Sequence, residues 1–284
     1  MAIKRAGLSN KLTAFLADQS FVCDVTGPGT AQLVMLRGCK VNADSSLSAH
    51  GDPQVYTDNY DDTLVVYGQK PGGQPYLETF RASAKPGMAW IKHSTYASAA
   101  KGCPTVQPGQ YPYCRGYHRG QEAMRQVSGS PVCVIRDLDR DAKLEVTDLV
   151  DYPMWTGINI HAGGTSGRVG LNSSGCQVIW GGWQGAPWKT FHRLIYKVAA
   201  KQRVFHYTLV DFVTFGWWHD RPPVKLLMFG SRGQEVENVQ ERLAREGYFA
   251  ETLVDGRFGR GTDRAVRAWQ KATGQKPNGI VKLT

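Results

Sequence analysis

Residues 157–176 read GINIHAGGTSGRVGLNSSGC, and this stretch decides how the larger part of the chain is read. It is the densest Gly/Ser/Asn segment of the protein, flanked by short apolar runs at 158–160 and 177–180. Apolar runs of that length bounded by Gly predict two strands joined by a loop. His161 closes the first run, and Cys176 stands fifteen positions later, just before the second. A nucleophilic cysteine needs an approach lined by small residues, backbone N–H groups aimed at the developing oxyanion, and a nearby base. Gly175 would let a substrate carbonyl come close, and the amides of Gly175 and Cys176 are the expected oxyanion donors. Ser173 and Ser174 complete the turn. Two adjacent strands would bring imidazole and thiol together. On these residues alone, a buried thiol and a satisfied core histidine are commoner than a catalytic pair.

Outward from this segment the pattern is mostly β. From Cys23 to Cys133, short Val/Leu/Tyr runs are broken by Gly, Pro, Asp and Asn, and TLVVY (63–67) with YLETF (76–80) predicts a hairpin. Residues 9–20 predict an amphipathic helix with Leu12, Phe15 and Leu16 on one face and Ser9 or Asn10 as cap. A second helix follows 180, with Trp188, Phe191, Leu194, Ile195 and Val198 on one face, and 204–215 predicts a strand. RPP (221–223) and FGSRG (229–233) mark a linker. Beyond it, Val236, Val239 and Leu243 repeat at helical spacing, as do Val266, Trp269 and Gln270, with VDGRFGRG (254–261) as the turn between. The expected architecture is α+β: a larger, mostly β domain over 1–228 and a small helical one over 229–284.

The chain has 284 residues and a formal charge of +10, of which 231–284 contribute a surplus of three. The positive charge is dispersed, with no basic block, which argues for a polyanionic partner and against nucleic acid. Leu12–Ala17 is too short for a signal-peptide core and no stretch could span a membrane, so the expectation is a monomeric protein made in the cytoplasm, without membrane insertion. The six cysteines include no CxxC pair, which argues against a zinc ribbon. A bridge between Cys103 and Cys114 is left open. His93, His118, His192 and His206 have no metal-binding spacing. Asp137, Asp139, Asp141 and Asp148 mimic a calcium loop, but Ala142 replaces the sixth-position Gly and Asp148 the bidentate Glu. A solvated acidic loop is the preferred expectation over a structural calcium ion, and no other cofactor is expected.

The segment INIHAGG…VGLNSSGCQVI resembles the active-site signature of L,D-transpeptidases of the YkuD type: a His-Gly element, a variable loop, then Ser-x-Gly-Cys. TLVVYGQKPGGQPYLETFRASAKPG resembles that family's strand–loop–strand, and CPTVQPGQYPY (103–113), ending at Tyr113, its Thr-Pro-x-Gly-x-Tyr stretch. The resemblance covers about 55–215. It implies a β-sandwich with a few helices, in which His161 deprotonates Cys176 and a thioacyl-enzyme forms. Val178 departs from the family's Arg two residues after the cysteine, so Arg168, Arg115 or His118 are the stand-ins for holding substrate carboxylates. Asn159 is a candidate for orienting the imidazole or substrate.

Residues 234–281 resemble the small three-helix peptidoglycan-binding domain through Val236, Val239, Gln240, Leu243, Asp255-Gly256, Phe258-Gly259, Thr262, Gln270 and Gly279. Asp255-Gly256 would set the turn and Thr262 cap the second helix. Peptidoglycan is therefore the expected partner. Three functions compete: a bacteriophage endolysin-type cysteine peptidase that causes bacteriolysis, an L,D-transpeptidase that forms cross-links, and a non-catalytic wall-binding protein. The missing export segment favours the first, with the diaminopimelate to D-alanine linkage as the bond the family suggests.

Overall fold

The structure, a computed structural model, describes residues 2–4, 7–92, 101–145, 148–154, 157–220 and 224–283. His93 and the RPP part of the expected linker lie outside the described residues. Eight strands, numbered along the chain, make the main sheet: β1 (Thr30–Arg37), β2 (Asp62–Gln69), β3 (Pro75–Ser83), β4 (Gly109–His118), β5 (Gln121–Gln126), β6 (Asn159–Ala162), β7 (Gln177–Ile179) and β8 (Phe205–Asp211). They close in the order β6-β7-β3-β2-β1-β8-β4-β5, with β5 paired back to β6. The expected sandwich is thus replaced by a closed eight-stranded barrel. The reason is that β6 finds antiparallel β5 on one side and parallel β7 on the other, so no edge is left at the putting-together of the two halves.

Strand alternation sorts the side chains. Leu33, Met35, Leu64, Val66, Tyr111, Tyr113, Ile160, Tyr207 and Leu209 fill one core. Val34, Leu36, Val65, Tyr67 and Val210 face the other way. They are covered by helix α1 (Leu8–Asp18), whose Leu8, Leu12, Phe15 and Leu16 are buried. Gly7, in a left-handed conformation, is the N-cap of α1, and neither Ser9 nor Asn10 serves. The hairpin predicted from 63–80 is β2–β3, in register from Asp62↔Ala82 to Gln69↔Pro75.

Helix α2 (Ala186–Arg193) runs into a π-helical turn at Leu194–Val198, which together bear the predicted apolar face. The predicted strand 204–215 ends at Asp211, where helix α3 (Phe212–Asp220) begins. Phe212, Phe215 and Trp218 recur every third residue, and Phe15 meets Phe215 and Trp218 edge-on at 5.4 and 5.3 Å. That packing on α1 outweighs the β preference of the run.

The C-terminal part holds helices α4 (Gln234–Arg245) and α5 (Arg260–Ala272). The third expected helix is only a 3-10 turn at Glu251–Leu253, and strand Lys225–Leu227 pairs antiparallel with Val281–Leu283. Two buried glutamines hold this unit together. The Gln240 side-chain oxygen accepts the amides of Asp255 and Gly256, while its nitrogen donates to Asp255, Thr262 and the Arg257 carbonyl. Gln270 ties Asn278, Gly279 and Ile280 in the same way. Gly256 sits at φ +65°, the left-handed conformation expected of the Asp-Gly turn. Thr262 does not cap α5. Gly259 is the N-cap, and the Thr262 hydroxyl donates to the Arg257 carbonyl.

The two parts are joined by buried polar contacts. Asp263 (2% exposed) pairs with Arg267 at 2.7 Å and accepts the hydroxyl of Tyr152 from the barrel side. Arg264 lies over the Tyr152 ring, 4.9 Å from its centroid. All six cysteines are free, so no Cys103–Cys114 bridge forms.

Candidate active site

β6 and β7 run parallel with His161 opposite Val178, so the connection 163–175 returns the chain to place Cys176 beside Asn159. On β6, Ile160 and Ala162 enter the barrel core, and Asn159 and His161 point to the opposite face. The Asn159 amide donates to Cys176 Sγ at 3.4 Å. Sγ in turn lies 3.5 Å from the Gly157 carbonyl oxygen, which can only accept, so the sulfur carries its proton.

The same reasoning assigns the imidazole. His161 Nδ1 is 2.8 Å from the Ala162 carbonyl oxygen and must be the protonated nitrogen. Nε2 is then a bare lone pair, and it is buried with no hydrogen-bond partner among the described residues. One donor atom each of His161, Cys176 and His118 lie within 4.8 Å of one another. Burial pushes the Cys176 thiol up to about 11, with the Asn159 amide and Arg119 opposing the rise. Burial, then His118, pushes His161 down to about 4. The resting site is a neutral thiol beside a neutral base, with Cys176 only 7% exposed.

The turn before the thiol is built from small residues for a steric reason. Gly175 has φ +144°, and a Cβ there would stand 2.6 Å from the Pro104 carbonyl oxygen. Ser173 Oγ donates to the Cys176 carbonyl (2.7 Å) and accepts the Gly175 amide (3.1 Å). Ser173 is therefore a turn-holding residue, and the Gly175 amide is engaged rather than free as an oxyanion donor. Ser174 is half-buried. The Gly163-Gly164 pair after the histidine meets Tyr60: a Cβ on Gly163 would lie 2.4 Å from its hydroxyl, which accepts the Gly164 amide.

Of the sequence-derived candidates, His118 and Asn159 join the pair. His118 stacks on His161 with centroids 4.2 Å apart, and its Nδ1 accepts from the Asn159 side-chain amide. Arg115 does not, because its guanidinium donates to the carbonyls of Ile195, Ala199 and Ala200 and so caps the π-helical turn. Arg168 is exposed on the 163–175 connection, with its backbone bridged to Asn59. Tyr113 is fully buried, its hydroxyl unpartnered among the described residues. Val178 is buried in an apolar cluster with Tyr60, Val169 and Cys176.

Two neighbours escaped sequence reasoning. Trp183 lies parallel to His161 with centroids 5.8 Å apart. Arg119, at φ +49°, shares a two-residue turn with Gly120 (φ +80°) between β4 and β5, and its charge reaches the thiol. A two-residue Gly-containing turn between strands was the available signal.

Two imidazoles and a thiol also form a donor set suited to a soft divalent ion such as zinc. A hollow of about 770 Å³ lies between α3 and the C-terminal unit, lined in part by Trp217, Asn238, Trp269 and Lys276.

Residues 232–281 match the family model of the peptidoglycan binding domain. This part of the chain is a peptidoglycan-binding domain. Its helices α4 and α5 and the Gln240 and Gln270 networks all fall inside the matched segment. No curated protein and no solved structure matches the chain. Among the described residues no helix is long and apolar enough to cross a membrane.

Proposed function

We propose that the barrel is a cysteine peptidase of endolysin type that cleaves stem-peptide or cross-link bonds of peptidoglycan, held on its substrate by the peptidoglycan-binding domain. The observation that carries this reading is the orphaned, buried lone pair of His161 Nε2 beside the Cys176 thiol, on a glycine turn that no larger residue can replace. His161 Nε2 takes the thiol proton as Sγ attacks the peptide carbonyl. The C–N bond breaks, the leaving amine takes that proton from His161, and a thioacyl-enzyme remains. Water, deprotonated by the same nitrogen, then releases the acid. His118 and Asn159 position the ring, and wall binding raises the local substrate concentration. Action on the wall after release from the cytoplasm fits this chemistry.

Transfer to an amine in place of water would make the same intermediate an L,D-transpeptidase, and the L,D-transpeptidase resemblance of 55–215 supports that second reading. The two are separated by mass spectrometry of muropeptides after incubation with purified sacculi. Soluble fragments with free carboxyl ends mean hydrolysis, and new cross-linked dimers mean transfer. Cys176→Ala that keeps full lytic activity would overturn the thiol mechanism behind both readings, and a wild-type chain that neither releases fragments nor forms dimers would leave a wall-binding protein.

A further inference from the structure

We propose that the carboxylates of Asp137, Asp139 and Asp141, on the loop that follows strand Val134–Asp137, form a calcium site. One oxygen of each lies within 4.8 Å of the others. Asp139 and Asp141 are exposed, but Asp137 is 1% exposed, and its Oδ1 is buried with no hydrogen-bond partner among the described residues, while its other oxygen accepts the Ala142 amide. A buried carboxylate oxygen with no donor, facing two like charges, is costly unless a cation neutralises it.

The backbone already has the required shape. Ala142, at the sixth place of the loop, has φ +68°, the left-handed conformation for which glycine is usual there. The Ala142 carbonyl and the Leu144 amide are bonded to Tyr56 and Gln54, which turns the Lys143 carbonyl away from that bridge, as a seventh-place oxygen ligand must be. Lys143 Nζ meets Asp141 Oδ2 at 3.0 Å, but both side chains are largely solvent-facing and that pair yields readily to a divalent ion. Oxygen donors spread this widely suit calcium better than magnesium, which demands short octahedral bonds.

The loop leads out of strand Val134–Asp137, which pairs with Cys103–Val106, and the Pro104 carbonyl of that strand is the atom packed against Gly175. A cation would stiffen the strand behind the nucleophile turn. The site is independent of the thiol chemistry.

The test uses the full chain, stripped with EDTA and dialysed, in calorimetric titration with CaCl2 and in thermal melts. One saturable site with Kd of about 10⁻⁴–10⁻³ M is expected, with Tm rising by about 2–6 °C at 10 mM Ca²⁺. Both responses should vanish in Asp139→Asn/Asp141→Asn, whose exposed positions leave the fold intact by circular dichroism. Absence of saturable binding to the folded wild-type chain overturns the proposal. So does a Tm shift that survives in the double variant, and an equal response to MgCl2 overturns the assignment to calcium. Should the double variant fold poorly, Asp139→Asn alone and displacement of Tb³⁺ by Ca²⁺ on the wild type carry the same decision.

Discussion

Alkylation of Cys176 should be slow at neutral pH and should accelerate steeply in alkali. The perturbation is pH, and the magnitude follows from a thiol pushed up to about 11 by burial. At pH 7 about 10⁻⁴ of such a thiol is thiolate, against about 3% of an unperturbed cysteine near 8.5, roughly a 300-fold deficit. A more basic thiolate is intrinsically a better nucleophile, which with a Brønsted coefficient of about 0.4–0.5 restores roughly tenfold. The net expectation is a rate about 30-fold below that of a small thiol at pH 7, rising nearly tenfold per pH unit up to about pH 10. Iodoacetamide labelling, followed on the peptide that contains residue 176, separates this thiol from the other five. Cys176→Ala identifies the signal. A rate at pH 7 equal to that of a small thiol, with an inflection near 6–7, would refute the neutral pair and mean a preformed thiolate–imidazolium. Soluble wall fragments should move the inflection downward, since charge separation in the site is completed by substrate.

Four further outcomes follow from the same geometry. His161→Gln should lower lytic rate on sacculi by about 10²–10⁴-fold, the usual worth of a positioned base. Because the folded-state value of His161 lies below its unfolded value of about 6.5, its contribution is present above that pH and lost as pH falls through about 4, up to about 3 kcal/mol; the variant's urea midpoint should therefore depend less on pH between 6.5 and 4 than that of the wild type. Gly175→Ala should cost at least about 1–3 kcal/mol in thermal melts and abolish lysis, because φ +144° and the Pro104 carbonyl leave no place for a Cβ; normal activity would sink the turn argument. Asp263→Ala, which leaves Arg267 buried without its partner and removes the acceptor of Tyr152, should cost about 3–5 kcal/mol in chemical denaturation, whereas an unchanged midpoint would mean the contact between the two parts is loose. EDTA should leave the zymogram band intact, and its loss with recovery on Zn²⁺ would turn His118, His161 and Cys176 into a metal centre.

The elements with strong local signals were legible without tertiary information. The α1 face, the β2–β3 hairpin, both helices of the peptidoglycan-binding domain and the Gly256 turn follow from spacing and from residues that local sterics restrict. The nearness of His161 and Cys176 was expected from two adjacent strands, but that β6 and β7 run parallel, so that the 163–175 connection must travel back along β6 to set Cys176 beside Asn159, was not. Closure of the barrel was not legible, since it depends on β5 meeting β6 across more than thirty residues of chain, and edge pairing leaves no mark on a strand's own alternation. The α3 helix was hidden for a related reason: Phe212 and Phe215 read as strand until α1 supplies the surface that Phe215 and Trp218 pack on.

The candidate side chains divide along the same line. Residue type made Arg115 a plausible carboxylate holder, yet three backbone carbonyls of the π-helical turn claim its guanidinium. Ser173 looked chemical and proved to hold the turn, while Trp183 and Arg119 reached the site from loops with no motif. By itself the sequence determined which residue types could do thiol chemistry and which segment binds the wall, because both are carried by local patterns of small, capping and core residues. Only the tertiary structure decided their states, because burial is a property of what surrounds a group: it makes Cys176 a neutral thiol and His161 Nε2 a bare base, and it buries Asp137 with one oxygen that no described residue satisfies.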